Sequence, residues 1–575
     1  MKKVFNASYL LLFVLCLMSV VTRAQSLYLA DEPHPKREAR AVWLTTLKSL
    51  DWPTTKATDE ASRNRQKQEL TSILDRLKAA GINQVLLQTR VRGAGIYPSK
   101  IEPWYYSLTG KYDKSPGYDP LAFAIEECHR RGMELHAWVV TIPTFDVSEA
   151  KKVGPKSLLN THPSYLRKHE DKYYLDPGIP AVSDYLCNIC TEIVSNYDID
   201  GIHFDYIRYP ENNASFPDGE TYKKYGQGQK KADWRRANIS RIVRNMYYTI
   251  KALKPWVKVS SSPIGKFDNL SRYPSRGWDA YNVVYQDAQG WLREGIHDAL
   301  YPMMYFKGDN FYPFAADWQE HANGRMIVVG LGTYFLDNNE GKWPLVDIQR
   351  EIYHVRRLGM AGECHFRSLF FTNNTKGIYD YTKDVLNAYP SLVPAMTWID
   401  SIPPTTPHTF TSTPVAGGML RLDWAPSTDD VSGTSVRYNV YASRTWPVDI
   451  TRAENLVATA LPRPTYTYNV REKVLRGMYL AVTAMDRCGN ESAPVMLDAD
   501  PAIKTTTQLI DNDGRRLTLK GVEGSICIIR DLTGRSVTTC FMADNIDISR
   551  LRPGFYSAYT MNKKGVEHLI GWFRK

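Results

Sequence analysis

The sequence predicts an α/β protein: a closed (β/α)8, or TIM, barrel followed by two β-rich modules. From Arg40 onward, strand-like and helix-like segments alternate through eight repeats, the period of a closed parallel barrel. Near residue 394 this gives way to a proline-rich stretch and then to short strands about 8 to 12 residues apart, the spacing of a β-sandwich. Some 550 residues beyond an apolar leader also exceed what one core can organise.

Each element follows from its residues. Ala41–Thr46 is an apolar run expected as strand one, and Glu60–Ala80 has helical periodicity that stops at Gly81. Asn83–Arg90 is strand two, Leu121–Arg131 a helix halted by Gly132, and Glu134–Thr141 strand three. The helix Val182–Tyr197 leads into strand four, and Trp234–Leu253 is a helix that stops before Pro255. Val257–Ser262, Ala299–Phe306, Arg325–Tyr334 and Gly362–Phe371 supply strands five to eight. Helices are expected between and after them at Ala288–Glu294, Phe314–Ala322, Leu345–Leu358 and Thr375–Ala388. The barrel should cover residues 35–393 and the stiff linker 394–404, with β modules at 405–503 and 507–575.

Lys2 and Lys3, the apolar run Tyr9–Val21 and the Thr22-Arg-Ala24 end predict a cleaved secretory signal over residues 1–24. No later run reaches about 18 apolar residues, so no transmembrane helix is expected. Export to the periplasm, the cell surface or the medium follows. The net charge, 72 − 61 = +11, is scattered among acids without a basic arm, which argues against nucleic acid and for attraction to an anionic polymer. Seven cysteines remain after Cys16, too few for a disulfide framework. Cys187 and Cys190 form a C-x-x-C inside a helical pattern and read as small core residues. There is no H-E-x-x-H and no two-histidine-plus-carboxylate spacing, and Arg92–Gly95 lacks the Lys and helix start of a phosphate loop; no metal or cofactor is expected.

The chemistry centres on Tyr197–Glu211. Ile202, Phe204 and Ile207 give it a strand's apolar content, and alternation puts His203 and Asp205 on the opposite face. A buried carboxyl signals either catalysis or a structural tie to the next loop. Polar and aromatic pairs are expected on shared faces near the carboxyl ends of other strands: Gln88 with Arg90, His136 with Trp138, Ser260 with Ser262, Tyr301 with Tyr305, and His365 with Arg367. Chemistry in such barrels sits at that end. A pocket explains six converging pairs better than six separate core contacts do.

Three blocks carry a family resemblance: Arg40-Ala-Val-Trp43 with Leu50-Asp-Trp-Pro53; Gln88-Thr-Arg90 with Tyr97-Pro-Ser-Lys100, Glu102-Pro-Trp104, Leu108-Thr-Gly110, Pro116-Gly-Tyr-Asp-Pro120 and His136-Ala-Trp138; and Asp200-Gly-Ile-His-Phe-Asp205 with Tyr209-Pro210. Together they resemble the glycosyl-hydrolase-10-like barrels, secreted bacterial (β/α)8 proteins whose characterised activity is hydrolysis of peptide-free peptidoglycan strands. The resemblance implies a glycoside hydrolase with Asp205 as a catalytic carboxyl, His203 orienting it or touching a sugar hydroxyl, and a polysaccharide partner. Glycoside hydrolysis generally needs a second carboxyl. Asp287 ranks first, with a helix N-cap as its competing role; Glu211 ranks second and Asp51 third. Trp52, Tyr97, Trp104, Trp138 and Tyr305 are candidate sugar platforms, each also a candidate core residue. Arg90 and Arg208 would hold the lactyl carboxylate of a muramic acid stripped of its peptide, or pair with an Asp or Glu of the chain itself. Gln88 and His136 are further candidates for sugar contacts. Many family members carry an Asp where this chain has Tyr206, and another where it has Ala94, which opens a second reading: a glycan-binding or surface-docking barrel that does not cut. The module at 405–503 resembles a fibronectin type III domain through Trp424, Tyr438-Asn-Val-Tyr441 and Tyr479–Asp486, implying a spacer or docking role. The module at 507–575 resembles the sorting or anchoring domains of secreted bacterial proteins, with a plain terminal β-sandwich as the alternative.

Overall fold

The computed structural model describes residues 34–273, 275–430, 435–469, 478–497, 510–519, 526–531, 535–541, 545–552, 555–561 and 567–575. The expected leader lies outside them. The chain forms two compact units: residues up to Thr409 with Thr413–Val495, and Phe410–Ser412 with Met496–Lys575.

The first unit contains the eight-stranded parallel barrel: β1 Ala39–Leu44, β2 Gln84–Arg90, β3 Glu134–Val140, β4 Gly201–Asp205, β5 Lys258–Ser261, β6 Ala299–Leu300, β7 Met326–Leu331 and β8 Gly362–His365. Each strand pairs in parallel with the next, and β8 returns to β1, closing the ring. The expected order of strands and helices is therefore present. Three strands are shorter than their apolar runs. Pro302 has no N–H for the ladder and splits β6 from Met303–Met304. β7 gives way to a 3-10 turn at Thr333–Leu336, and β8 to a short helix at Ser368–Thr372.

Alternation divides the apolar residues between two cores. Val42, Leu87, Val139, Phe204, Val259 and Val329 face outward into the layer beneath the helices. Ala41, Trp43, Leu86, Trp138, Tyr301 and Val328 fill the barrel's interior. Gly201 in the Asp-Gly-Ile-His-Phe-Asp block is needed for space: a Cβ there would lie 2.5 Å from His136 Nδ1. Some helices begin where a short polar side chain accepts from the first free N–H groups. Asp59 and Ser62 form a capping box at Glu60–Ala79, and Asp119 caps Pro120–Arg130. One excursion went unpredicted: Pro143–Asp146, Leu166–His169 and Lys172–Leu175 form a small antiparallel sheet after β3.

Beyond the barrel, Arg437–Ser443 pairs antiparallel with Leu456–Leu461 and Tyr479–Met485, and Met419–Ala425 with Thr465–Asn469. This sheet module closes the amino-terminal end of the barrel. Met396 and Cys488 enter the interior cluster, joined by a 2.7 Å bond from Met396 N–H to the Cys488 carbonyl. At Gly132, whose φ is +63°, a Cβ would meet the Thr459 carbonyl at 2.2 Å, so only glycine admits this approach. The second unit holds two antiparallel sheets around its own core of Leu517, Cys527, Ile529, Ile546, Ala558 and Phe573. Among the described residues no helix is long and apolar enough to cross a membrane.

Candidate active site

Asp205 is the last residue of β4 and 6% exposed. Its Oδ1 accepts from the Tyr206 N–H at 2.7 Å and the Ser262 hydroxyl at 3.0 Å; its Oδ2 accepts from the Trp138 indole at 3.1 Å. Burial pushes the carboxyl above its ordinary range, and Arg208 and the three donors offset only part of that. An acid that keeps its proton longer than a free carboxyl suits proton donation.

The chain turns sharply at this point. Tyr206 adopts φ +52°, in the left-handed region that most side chains avoid, and its ring is 38% exposed. Arg208 is buried, with its guanidinium 4.7 Å from the Tyr206 ring and 5.5 Å from that of Trp278. Its Nη2 reaches Glu211 at 3.5 Å, whereas Nε has no partner. Tyr305 is half-buried, its ring 5.5 Å from Phe366 and 5.7 Å from Tyr334. Burial holds the Tyr305 hydroxyl protonated.

The acids ranked as partners of Asp205 sit in three different settings. Asp287 caps the helix Ala288–Glu294, accepting from the Gly290 N–H at 3.0 Å. Asp51 is bonded to Arg367 and to the N–H groups of Thr45 and Leu369, tying the loops after β1 and β8 together. Glu211 is 60% exposed and has only its loose contact with Arg208.

A model of the glycosyl hydrolase-like 10 family matches residues 38–329, a stretch that runs from β1 through β7 and includes Asp205 and Arg208. The chain belongs to that family. The glycosyl hydrolase YngK of Bacillus subtilis is 33% identical over 479 residues, covering 79% of this chain and 92% of YngK. The glycosyl hydrolase DigH of Escherichia coli is 38% identical over 286 residues, 46% of this chain and 65% of DigH. Among solved structures, the PgaB glycoside hydrolase domain of Bordetella bronchiseptica aligns at 14% identity and TM-score 0.44, over 61% of this chain and 99% of that domain.

In this glycosyl hydrolase-like 10 barrel several other expected contacts are supports. Arg90 is fully buried, with Nε 2.8 Å and Nη2 2.6 Å from the Glu102 carboxylate and Nη1 on the Val140 and Thr141 carbonyls, so no hydrogen-bonding edge remains for a sugar. Gln88 Oε1 accepts from the N–H groups of Thr46 and Leu47 and shapes the loop after β1. Trp52 is enclosed, with its indole on the Gln66 carbonyl; Tyr97 is enclosed, with its hydroxyl on Glu192; and Trp104 is half-buried against the outer core. His136 lies at the opposite end of the interior, beside Glu134 and Gln84.

His203 does not reach Asp205. Its Nε2 accepts from the Trp43 indole at 3.2 Å, so Nδ1 carries the hydrogen and donates to Ser260 Oγ at 2.9 Å. Burial keeps this imidazole neutral. Cys364 on β8 and Phe366 just beyond it face inward, whereas His365 packs against Phe371 on the outer side and bonds Thr333. Sequence reasoning missed Phe366, Tyr334 and Trp278. Phe366 was readable by continuing the alternation from Cys364; Trp278, in a long loop without periodicity, left no such signal.

Proposed function

We propose that this protein is an exported glycoside hydrolase that cleaves an amino-sugar polysaccharide, peptide-free peptidoglycan strands in particular, with Asp205 as proton donor. The observation that carries this reading is the buried, proton-retaining carboxyl of Asp205 at the carboxyl end of β4, beside a mouth lined by Tyr206, Arg208, Trp278 and Tyr305. Asp205 gives its proton to the glycosidic oxygen as the bond to the anomeric carbon breaks. Its partner carboxyl attacks that carbon or takes a proton from water. Glu211 is the better candidate for the partner, because the Asp287 carboxylate is engaged in capping its helix. The Arg208 guanidinium, beside the exposed rings of Tyr206 and Trp278, suits the lactyl carboxylate of a muramic acid.

Incubation with peptide-stripped peptidoglycan, followed by mass spectrometry of released oligosaccharides, tests the proposal. Soluble fragments with new reducing ends are expected, and none from Asp205→Asn. The engagement of Asp287 and Asp51 in other bonds favours a second reading, a glycan-binding barrel without cleavage. Retained glycan with no new reducing ends would establish that reading instead.

A further inference from the structure

In the C-terminal unit, Ile526–Asp531 and Ser536–Phe541 run antiparallel in a register that sets Cys527 directly across from Cys540. Alternation sends both side chains to the side of the sheet that packs the unit's core. Cys527 is fully enclosed there and Cys540 is half-buried at its margin. Directly opposed residues of an antiparallel pair have Cα atoms about 4.5–5.5 Å apart, within the roughly 4.4–6.8 Å that a disulfide requires. The two thiols are close enough to share a hydrogen bond. The other described cysteines, Cys128, Cys187, Cys190, Cys364 and Cys488, all belong to the first unit.

Ser536–Phe541 is also an edge strand, paired on one side only, with Phe541 83% exposed. An edge strand attached by a single ladder gains most from a covalent tie. We propose that Cys527 and Cys540 form a cross-strand disulfide that staples this edge to its sheet. In that step the two thiols give up two protons and two electrons as one S–S bond forms. An oxidant of the disulfide class, a thiol oxidoreductase or oxidised glutathione, takes them up as its own S–S bond breaks to two thiols.

The test uses the whole mature chain, reduced and then equilibrated in a glutathione buffer poised as in an oxidising compartment, quenched with acid, alkylated and digested. The expected product is one cross-linked peptide pair containing Cys527 and Cys540, lighter than the two free peptides by two hydrogens, with 7 − 2 = 5 cysteines alkylated. Oxidation should also raise the temperature at which the C-terminal unit unfolds, and Cys540→Ser should remove that increase. Recovery of both cysteines as alkylated thiols, or as separate glutathione adducts, would overturn the assignment.

Discussion

Two aspartates in opposite states bracket β4, Asp200 just before it and Asp205 as its last residue. Asp200, at the floor, is met by Arg437 at 2.7 Å, Arg487 at 3.3 Å, His129 at 2.8 Å and the Leu135 N–H at 2.9 Å. Burial alone would raise its proton affinity, but Arg437, His129 and Arg487 outweigh that and hold the carboxyl well below its usual range. Asp205, at the mouth, is buried as deeply but has neutral donors and one nearby cation, so burial wins. The same residue type, five positions apart across β4, is thus a fixed anion at one end and a reluctant one at the other. Burial by itself does not mark a catalytic carboxyl; what distinguishes the two is how fully opposite charge compensates the burial. The floor charge pins the sheet module to the barrel, whereas the mouth carboxyl is met mainly by neutral donors.

The largest effect expected from breaking this comparison is on turnover at the mouth. Asp205→Asn should lower kcat on peptide-free glycan by about 10²–10⁴-fold, the range for losing a general acid. The thermal midpoint should fall only modestly, because the amide oxygen can keep the Oδ1 bonds from Tyr206 and Ser262 and loses only the Trp138 bond to Oδ2. A large loss of stability instead would make Asp205 a structural tie.

At the floor the effects should reverse. Asp200→Ala leaves Arg437, Arg487 and His129 facing each other without their anion, and breaking such a buried pair costs about 3–5 kcal/mol. Urea unfolding should register that loss, while KM in whatever protein remains folded stays close to the parent value. Truncation at residue 393 removes Met396 and Cys488, and should expose the barrel interior they cover and leave the barrel insoluble; a soluble, active fragment would show the floor to be dispensable.

Acid titration of stability should separate the same two groups by sign. Asp200, with a folded pKa below the ordinary 3.8, adds stability above that value and loses it as pH falls through its folded pKa. Asp205, with a folded pKa above 3.8, does the opposite. The folded state keeps its proton after the unfolded chain has released one, so stability declines as pH rises from 3.8 through the folded value. A tenfold difference in proton affinity between the folded and unfolded chain corresponds to about 1.4 kcal/mol. Urea midpoints measured across the acid range should lose the first slope in Asp200→Asn and the second in Asp205→Asn. Slopes unchanged by either substitution would refute both assignments.

Much of this was legible in the sequence, and the gaps have physical causes. Eight alternating segments revealed the barrel because closure imposes a repeat, and Asp205 stood out because alternation sets a carboxyl among Ile202, Phe204 and Ile207. The role of Asp200 could not be seen, since Arg437 lies 237 positions away and meets it only through folding. His365 was expected in the mouth because it is polar, yet a cavity already lined by Trp43, Tyr301 and Tyr305 takes Phe366 on its inward face and leaves the imidazole outside. Arg90 looked like a ligand for the same reason, but Glu102, twelve residues on, folds back to engage it in two hydrogen bonds.

The smallest effects should come from the residues that frame the mouth without holding Asp205. Arg208→Gln removes the cation beside the Tyr206 and Trp278 rings, and a hydrogen bond to a charged group is worth about 1.5–3 kcal/mol. KM for an acidic glycan should therefore rise roughly ten- to a hundredfold, less at high salt, while a neutral N-acetylglucosamine oligomer is little affected. Trp278 stacks on that guanidinium from an exposed position, where such contacts contribute about 0.5–1 kcal/mol. Trp278→Ala should raise KM only a few-fold, and should do nothing further in the Arg208→Gln background if its sole role is to hold the guanidinium. An additional loss in the double variant would mean that the indole contacts the sugar directly, extending the binding surface from the strand ends onto the loop that carries it.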